Sequence, residues 1–183
     1  DAQVHDATGL LVLPGGIDVH VHMETPMGND VYTCDSFESG TKSAAFGGTT
    51  TIIDFAQQFQ GESPKAALDR RLAAAEPQCS VDYGFHVILT DANADAIAEL
   101  PDLINNEGVS SFKLYMAYPG VMMVDDAAIY KIMRKVGDHG GMVNVHAENG
   151  IVIQALIDEA LAEGNTSPKF HQLTRPQLME GEA

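Results

Sequence analysis

An α/β fold built on a parallel sheet is the class this 183-residue sequence predicts. Three observations lead there. Apolar, β-rich runs alternate with helical patterns along the whole chain. The alternation has the spacing of βαβ units, which place helices outside a parallel sheet. Gly and Pro punctuate the joins between segments.

The elements follow in order. Pro14-Gly15-Gly16 turns the chain into a strand, Ile17–His22. Ser36–Phe46 reads as a short helix that Gly47-Gly48 ends. Thr49–Phe55 is β-branched and apolar, a buried strand by composition. Ser63-Pro64 starts a helix with proline in its first turn, and Ala66–Ala75 continues it. Val81–Thr90 is a third strand, and Ala94–Asn105 a helix with Asn93 as N-cap. Pro101 inside that helix is expected to kink or split it. Ser110–Tyr118 is the fourth strand, Asp125–Gly137 the fourth helix and Met142–His146 the fifth strand. Ile151–Glu163 is an amphipathic helix closed by Gly164. The remainder is polar and turn-rich to Pro176, then helical. No dinucleotide fingerprint follows the first strand and no phosphate-binding Gly-Lys-Ser/Thr loop is present. Pattern alone leaves both a closed barrel and an open doubly wound sheet.

Composition narrows the function classes. Ten basic against 26 acidic residues give a net charge of −16, which argues against nucleic acid and against an anionic membrane surface. A hydrophobic share of 45% with no long polar tract belongs to a globular core. The apolar run Gly9–Leu13 is broken at once by Pro14, so no membrane span is expected. Cys34 and Cys79 are too few for a disulfide scaffold and read as reduced thiols of a cytoplasmic protein. The chain begins Asp-Ala-Gln, without an initiator Met or a basic leader, so a processed or cut start is expected.

Three features carry chemistry. His20-x-His22 places two imidazoles on one strand face, together with Asp18. Imidazole is the usual neutral ligand of a divalent transition metal, although two polar side chains sharing a face is also an ordinary arrangement. Lys113 interrupts the apolar run Ser-Ser-Phe-Lys-Leu-Tyr-Met-Ala-Tyr. Either it faces water from an edge strand, or it lies inside, forced toward the neutral amine by desolvation. A neutral amine takes up carbon dioxide as a carbamate, whose two oxygens suit a pair of metal ions. His146 ends the strand Val-Asn-Val-His and precedes Ala-Glu-Asn-Gly, either a structural histidine or a group at the carboxyl end of a strand where barrel enzymes place catalysis. His86 alternates with core residues and reads as a satisfied interior group, His139 sits at a helix end, and neither His5 nor His171 has a clear role.

The segments Pro14–His22, Ala45–Thr50, Ser111-Phe112-Lys113 with Met116-Ala117-Tyr118, and His146–Gly150 occur in this order. Together they resemble the dihydropyrimidinase/hydantoinase branch of the cyclic amidohydrolases, from about residue 9 to the end. The resemblance implies a TIM-like (β/α)8 barrel, with about the first five βα units in residues 14–183. Residues 1–13 then hold the last strand of a small amino-terminal β-domain. It implies two divalent metal ions, zinc in most members. His20 and His22 would bind one and His146 the other, with N6-carboxylated Lys113 as the bridge. Ring opening of dihydropyrimidines or 5-substituted hydantoins to N-carbamoyl amino acids would use a metal-bridging hydroxide, with the Tyr118 hydroxyl supporting the oxyanion. Met27, Tyr115 and Met122 fall on positions lining the pocket for the ring substituent, an apolar wall. Met27 and Met122 are equally readable as core residues.

No Arg follows His22, and Glu24 stands near the expected mouth, so an uncharged cyclic amide or ureide fits better than a carboxylate-bearing ring. Pro119 replaces the lysine expected after Tyr118. A further ligand His and a proton-shuttling Asp are expected on later strands. His171 and Asp158 end no apolar strand, so the chain reads as an internal fragment, inactive alone; the resemblance implies a cytoplasmic homotetramer for the full-length protein. Two alternatives are an allantoinase-like hydrolase and a non-catalytic dihydropyrimidinase-like assembly protein. The intact His20, His22, Lys113 and His146 favour the enzyme.

Overall fold

The computed structural model describes residues 2–28 and 30–183; Asp1, the first residue of the expected β-domain segment, lies outside the described residues. Five strands form one sheet in the order β1 (Gly16–Asp18), β4 (Thr49–Gln57), β5 (Asp82–Ile88), β6 (Ser111–Tyr115) and β7 (Met142–His146). The pairings β1–β4, β5–β6 and β6–β7 are parallel. An α/β fold with a parallel sheet is therefore what the sequence forms. Between the strands lie α1 (Phe37–Phe46), α2 (Pro64–Ala75), α3 (Ala94–Asn105), α4 (Asp126–Asp138) and α5 (Gly150–Ala162). The chain divides into two compact units, Asp1–Asp54 with Ala75–Gly84, and Phe55–Ala74 with Phe85–Ala183.

In the first unit the opening strand is shorter than expected. The backbone N–H of His20 turns to the Asp18 carboxylate at 3.2 Å instead of to a neighbouring strand, so β1 stops at Asp18. His20 and His22 lie beyond the strand rather than on its face. Residues 2–13 carry no assigned strand; the chain turns at Thr8 and Gly9, with Leu10 N–H bonded to Ala7 O. A strand needs a partner for its backbone groups, and no described residue provides one here. A two-stranded antiparallel hairpin, β2 (Pro26–Gly28) and β3 (Val31–Tyr32), was not expected. These strands of three and two residues are too short to show any alternation. Helix α1 begins at Ser36, whose hydroxyl accepts the Ser39 N–H in a reciprocal capping box.

The second unit holds the larger core. Leu100 and Leu103 of α3, Ile132 and Val136 of α4, and Phe112 and Leu114 of β6 are fully buried. Asn93 caps α3 as expected, accepting the Ala96 N–H at 2.9 Å. The helix runs unbroken through Pro101. The proline removes a single backbone donor, and burial of the face bearing Ala96, Leu100 and Leu103 holds the helix together. Strand β6 ends at Tyr115 rather than Tyr118, because the chain turns into a loop where Tyr118 adopts a left-handed φ of 62°. The Tyr118 carbonyl accepts the N–H groups of Val121, Met122 and Met123. Two short helices, α6 (Lys169–Leu173) and α7 (Leu178–Glu182), follow α5; α6 lies in the stretch expected to be only turns. Cys34 is exposed and Cys79 half-buried. Among the described residues no helix is long and apolar enough to cross a membrane.

Gly150 opens α5 against the end of β6. A Cβ there would lie 2.7 Å from Met116 O and 2.9 Å from Ala117 Cα, both backbone atoms that cannot swing aside. Gly150→Ala is expected to push the 116–118 turn away and to cost about 1–3 kcal/mol, as overpacking does. Urea unfolding measures it; an unchanged midpoint would show that the turn yields freely.

Candidate functional site

Four sequence-selected residues of the second unit meet at the carboxyl ends of β6 and β7. The parallel register pairs Lys113 with Asn144 and Tyr115 with His146, and alternation along β6 puts Lys113 and Tyr115 on one face. The Tyr115 and His146 rings stack at 5.6 Å, and Tyr118 lies 5.5 Å from His146. Lys113 Nζ sits 5.2 Å from the Tyr115 ring centre.

Strand β6 lies between β5 and β7, and Lys113 is only 8% exposed. The edge-strand reading of this lysine is therefore excluded. No described residue offers its ammonium a carboxylate or a hydrogen-bond acceptor. Burial lowers the pKa of the amine from its ordinary value, because desolvation penalises the charged form. The same desolvation, with the neighbouring Tyr118 second, raises the Tyr115 hydroxyl.

Lys113, Tyr118, His146 and Glu148 line a cavity of about 360 Å³ together with His171 and Arg175. Glu148 was missed in sequence, although it stands two residues past His146 and its carboxylate meets His146 Nε2 at 2.5 Å. His171 and Arg175 were also missed as site residues. Their segment carries no local motif, and only the return of α6 toward β7 brings them to the cavity. Arg175 donates to the His171 carbonyl at 3.1 Å. His86, as expected, is an interior group: it is buried, and its Nδ1 bonds the Ser111 hydroxyl.

The first unit holds the other expected ligands. The His20 and His22 rings stand 5.2 Å apart, edge to face, so the two imidazoles keep company although they lie beyond β1. Met27 stands on β2 and is 67% exposed, while Tyr115 and Met122 of the second unit are half-buried.

Imidazole nitrogens are the right donors for a divalent transition metal, and a buried amine without an acid partner suits carbamate formation. By donor chemistry the residues present fit such a metal. Among the described residues no group of three or more His, Cys, Asp or Glu is placed to hold one. The donors occur as pairs within each unit, and a lysine becomes a metal ligand only once carboxylated.

Residues 11–173 match the family model of the amidohydrolases. The chain belongs to the amidohydrolase family. This amidohydrolase chain is 51% identical over 180 residues to a D-hydantoinase of Streptomyces coelicolor, covering 98% of the chain and 38% of that relative. It is 42% identical over 182 residues to the dihydropyrimidinase of Rattus norvegicus, covering 99% and 35%. The crystal structure of a dihydropyrimidinase from Brevibacillus agri superposes with a TM-score of 0.96 at 48% identity, covering 100% of this amidohydrolase and 40% of that chain. The chain thus spans somewhat over a third of the length of the relatives it matches.

Proposed function

We propose that this chain is part of a metal-dependent hydrolase that opens the cyclic amide of dihydropyrimidines or 5-substituted hydantoins, giving N-carbamoyl amino acids. The observation that carries this reading is Lys113, buried in a flanked strand with no acid partner among the described residues, beside Tyr118 and His146 in one cavity. The hydantoinase and dihydropyrimidinase relatives supply the reaction class.

In this proposal His20 and His22 would hold one divalent ion and His146 a second, with Lys113, once carboxylated, as a further ligand; zinc suits the imidazole set. When bound, such a metal pair lowers the pKa of water and polarises the substrate carbonyl. The chain's own residues do the rest. The Tyr118 hydroxyl donates to the carbonyl oxygen where negative charge develops. The left-handed backbone at Tyr118 is a local strain of the kind that collects at functional positions. Glu148 occupies Nε2 of His146, which fixes the ring and leaves Nδ1 for another partner. Met27 in the first unit, and Tyr115 and Met122 in the second, are the side chains this reading assigns to the ring substituent.

The proposal extends to the architecture and setting. Residues 14–183 supply about five βα units of a (β/α)8 barrel, and residues 1–13 belong to an amino-terminal β-domain. The working protein is a cytoplasmic homotetramer acting on a small cyclic amide or ureide. The motif order and the likeness to longer relatives support the barrel architecture.

A protein of the relatives' length carrying this chain is expected to open dihydrouracil or a 5-substituted hydantoin, to lose that activity to a chelator and to regain it with zinc. The 183-residue chain by itself is expected to open neither ring. A long protein without ring-opening activity in zinc would sink the reading, and an active short chain would sink the claim that further residues are required.

A further inference from the structure

The turn that follows His22 is tied by backbone bonds, Val21 N–H to Ile53 O of β4 at 3.3 Å before it and Glu24 N–H to Asp35 O at 2.8 Å within it, and by side chains. The Thr33 hydroxyl donates to the His22 carbonyl at 2.7 Å and accepts the Thr25 N–H at 2.9 Å. The Thr33 N–H donates in turn to Thr25 O at 3.0 Å. On the other side of the turn, the fully buried Asp54 carboxylate accepts the Met23 N–H at 3.1 Å. Met23 itself is buried, and its Sδ fills the space a Cβ on Gly40 would need. Glu24 takes a left-handed φ of 47° between these anchors.

One hydroxyl therefore ties two parts of the first unit. On one side is the carbonyl of His22, whose ring packs on that of His20; on the other is Thr25, which leads directly into hairpin strand β2 with Met27. Beyond Asp18 the chain runs on without assigned strand; the Val21 N–H still reaches Ile53 O of β4, and the His22 carbonyl itself is met by the Thr33 hydroxyl. We propose that Thr33 is a positioning residue: its hydroxyl sets the His20–His22 pair and couples it to the β2–β3 hairpin. This rests on the reading of His20 and His22 as metal ligands, which the experiment tests separately. Groups that orient a ligand typically change metal affinity 10–100-fold when removed.

Thr33→Val keeps shape and removes the hydroxyl; Thr33→Ser keeps the hydroxyl and removes a methyl. In the metal-free protein, hydrogen exchange at the Thr25 amide and the nuclear Overhauser contact between the His20 and His22 rings report the link directly. Thr33→Val is expected to raise Thr25 exchange at least tenfold and to weaken the ring contact, while Thr33→Ser retains both. With cobalt(II) as probe, Thr33→Val is expected to weaken visible-band binding about tenfold, with Thr33→Ser near wild type. An unchanged ring contact and cobalt affinity in Thr33→Val would overturn the proposal. Cobalt binding indifferent to His22→Ala would instead overturn the metal reading, leaving the ring contact to decide the role of Thr33. Equal losses in both Thr33 variants would point to packing by the methyl group and also overturn it.

Discussion

Lys113→Ala is expected to abolish metal-dependent ring opening in a protein of the relatives' length, and to lower its divalent metal content by more than the roughly 10–100-fold that follows loss of an outer partner. The reason is the environment of this side chain. Strand β6 is flanked on both sides, Lys113 is 8% exposed, and its Nζ faces the Tyr115 ring with no acid among the described residues to keep it charged. A lysine in such a place is costly unless it is altered or paired. Carboxylation turns a cation into an anion with two oxygens and makes it useful to metal ions. Lys113→Arg is expected to fail as completely, since a guanidinium stays protonated and forms no carbamate. Metal analysis and native intact mass give the readouts: wild type carries the added mass of carbon dioxide and both variants lack it. A Lys113→Ala protein with full metal content and activity would remove the basis of the proposed site.

Phe112→Ala is expected to destabilise the fold by about 3–5 kcal/mol, the usual range for emptying a buried aromatic position. Phe112 has no exposed surface, pairs in register with Val87 of β5 and Val143 of β7, and precedes Lys113 on the same strand. Domains of this size hold only about 5–15 kcal/mol in total, so the variant stands close to unfolding at room temperature. Phe46→Ala supplies the contrast: Phe46 is 96% exposed, and its loss is expected to stay within about 0.5 kcal/mol. Urea titration of the two variants measures both, and equal shifts would mean that the burial described for β6 is not what stabilises the sheet.

Much of the architecture was legible because its signals are local. β-branched runs marked β4, the Met142–His146 strand matched to the residue, and Asn93, by its side-chain chemistry, announced the start of α3. Pro101 misled, because the sequence shows the missing donor and not the buried face that outweighs it. The opening strand was drawn too long for a related reason: alternation from Ile17 to His22 looks like a strand, but Asp18 captures the His20 N–H and ends it. The hairpin β2–β3 was invisible, since five residues in two strands carry no period.

For the site, residue chemistry raised His20, His22, Lys113 and His146 as candidates and left an ordinary reading open for each, and the order of the family-like motifs chose between the readings. Whether Lys113 faced water or the interior was beyond the sequence. Its flanking by β5 and β7 decided that, since burial belongs to the whole sheet. Glu148 on His146, the arrival of His171 and Arg175 at the cavity, and the Thr33 hydroxyl beneath His22 are likewise products of tertiary structure. Residue type and spacing act over a few positions along the chain, and so they name the groups able to do chemistry. Desolvation and hydrogen-bond partnership act through space, so only the folded chain says which of those groups are charged, oriented and joined.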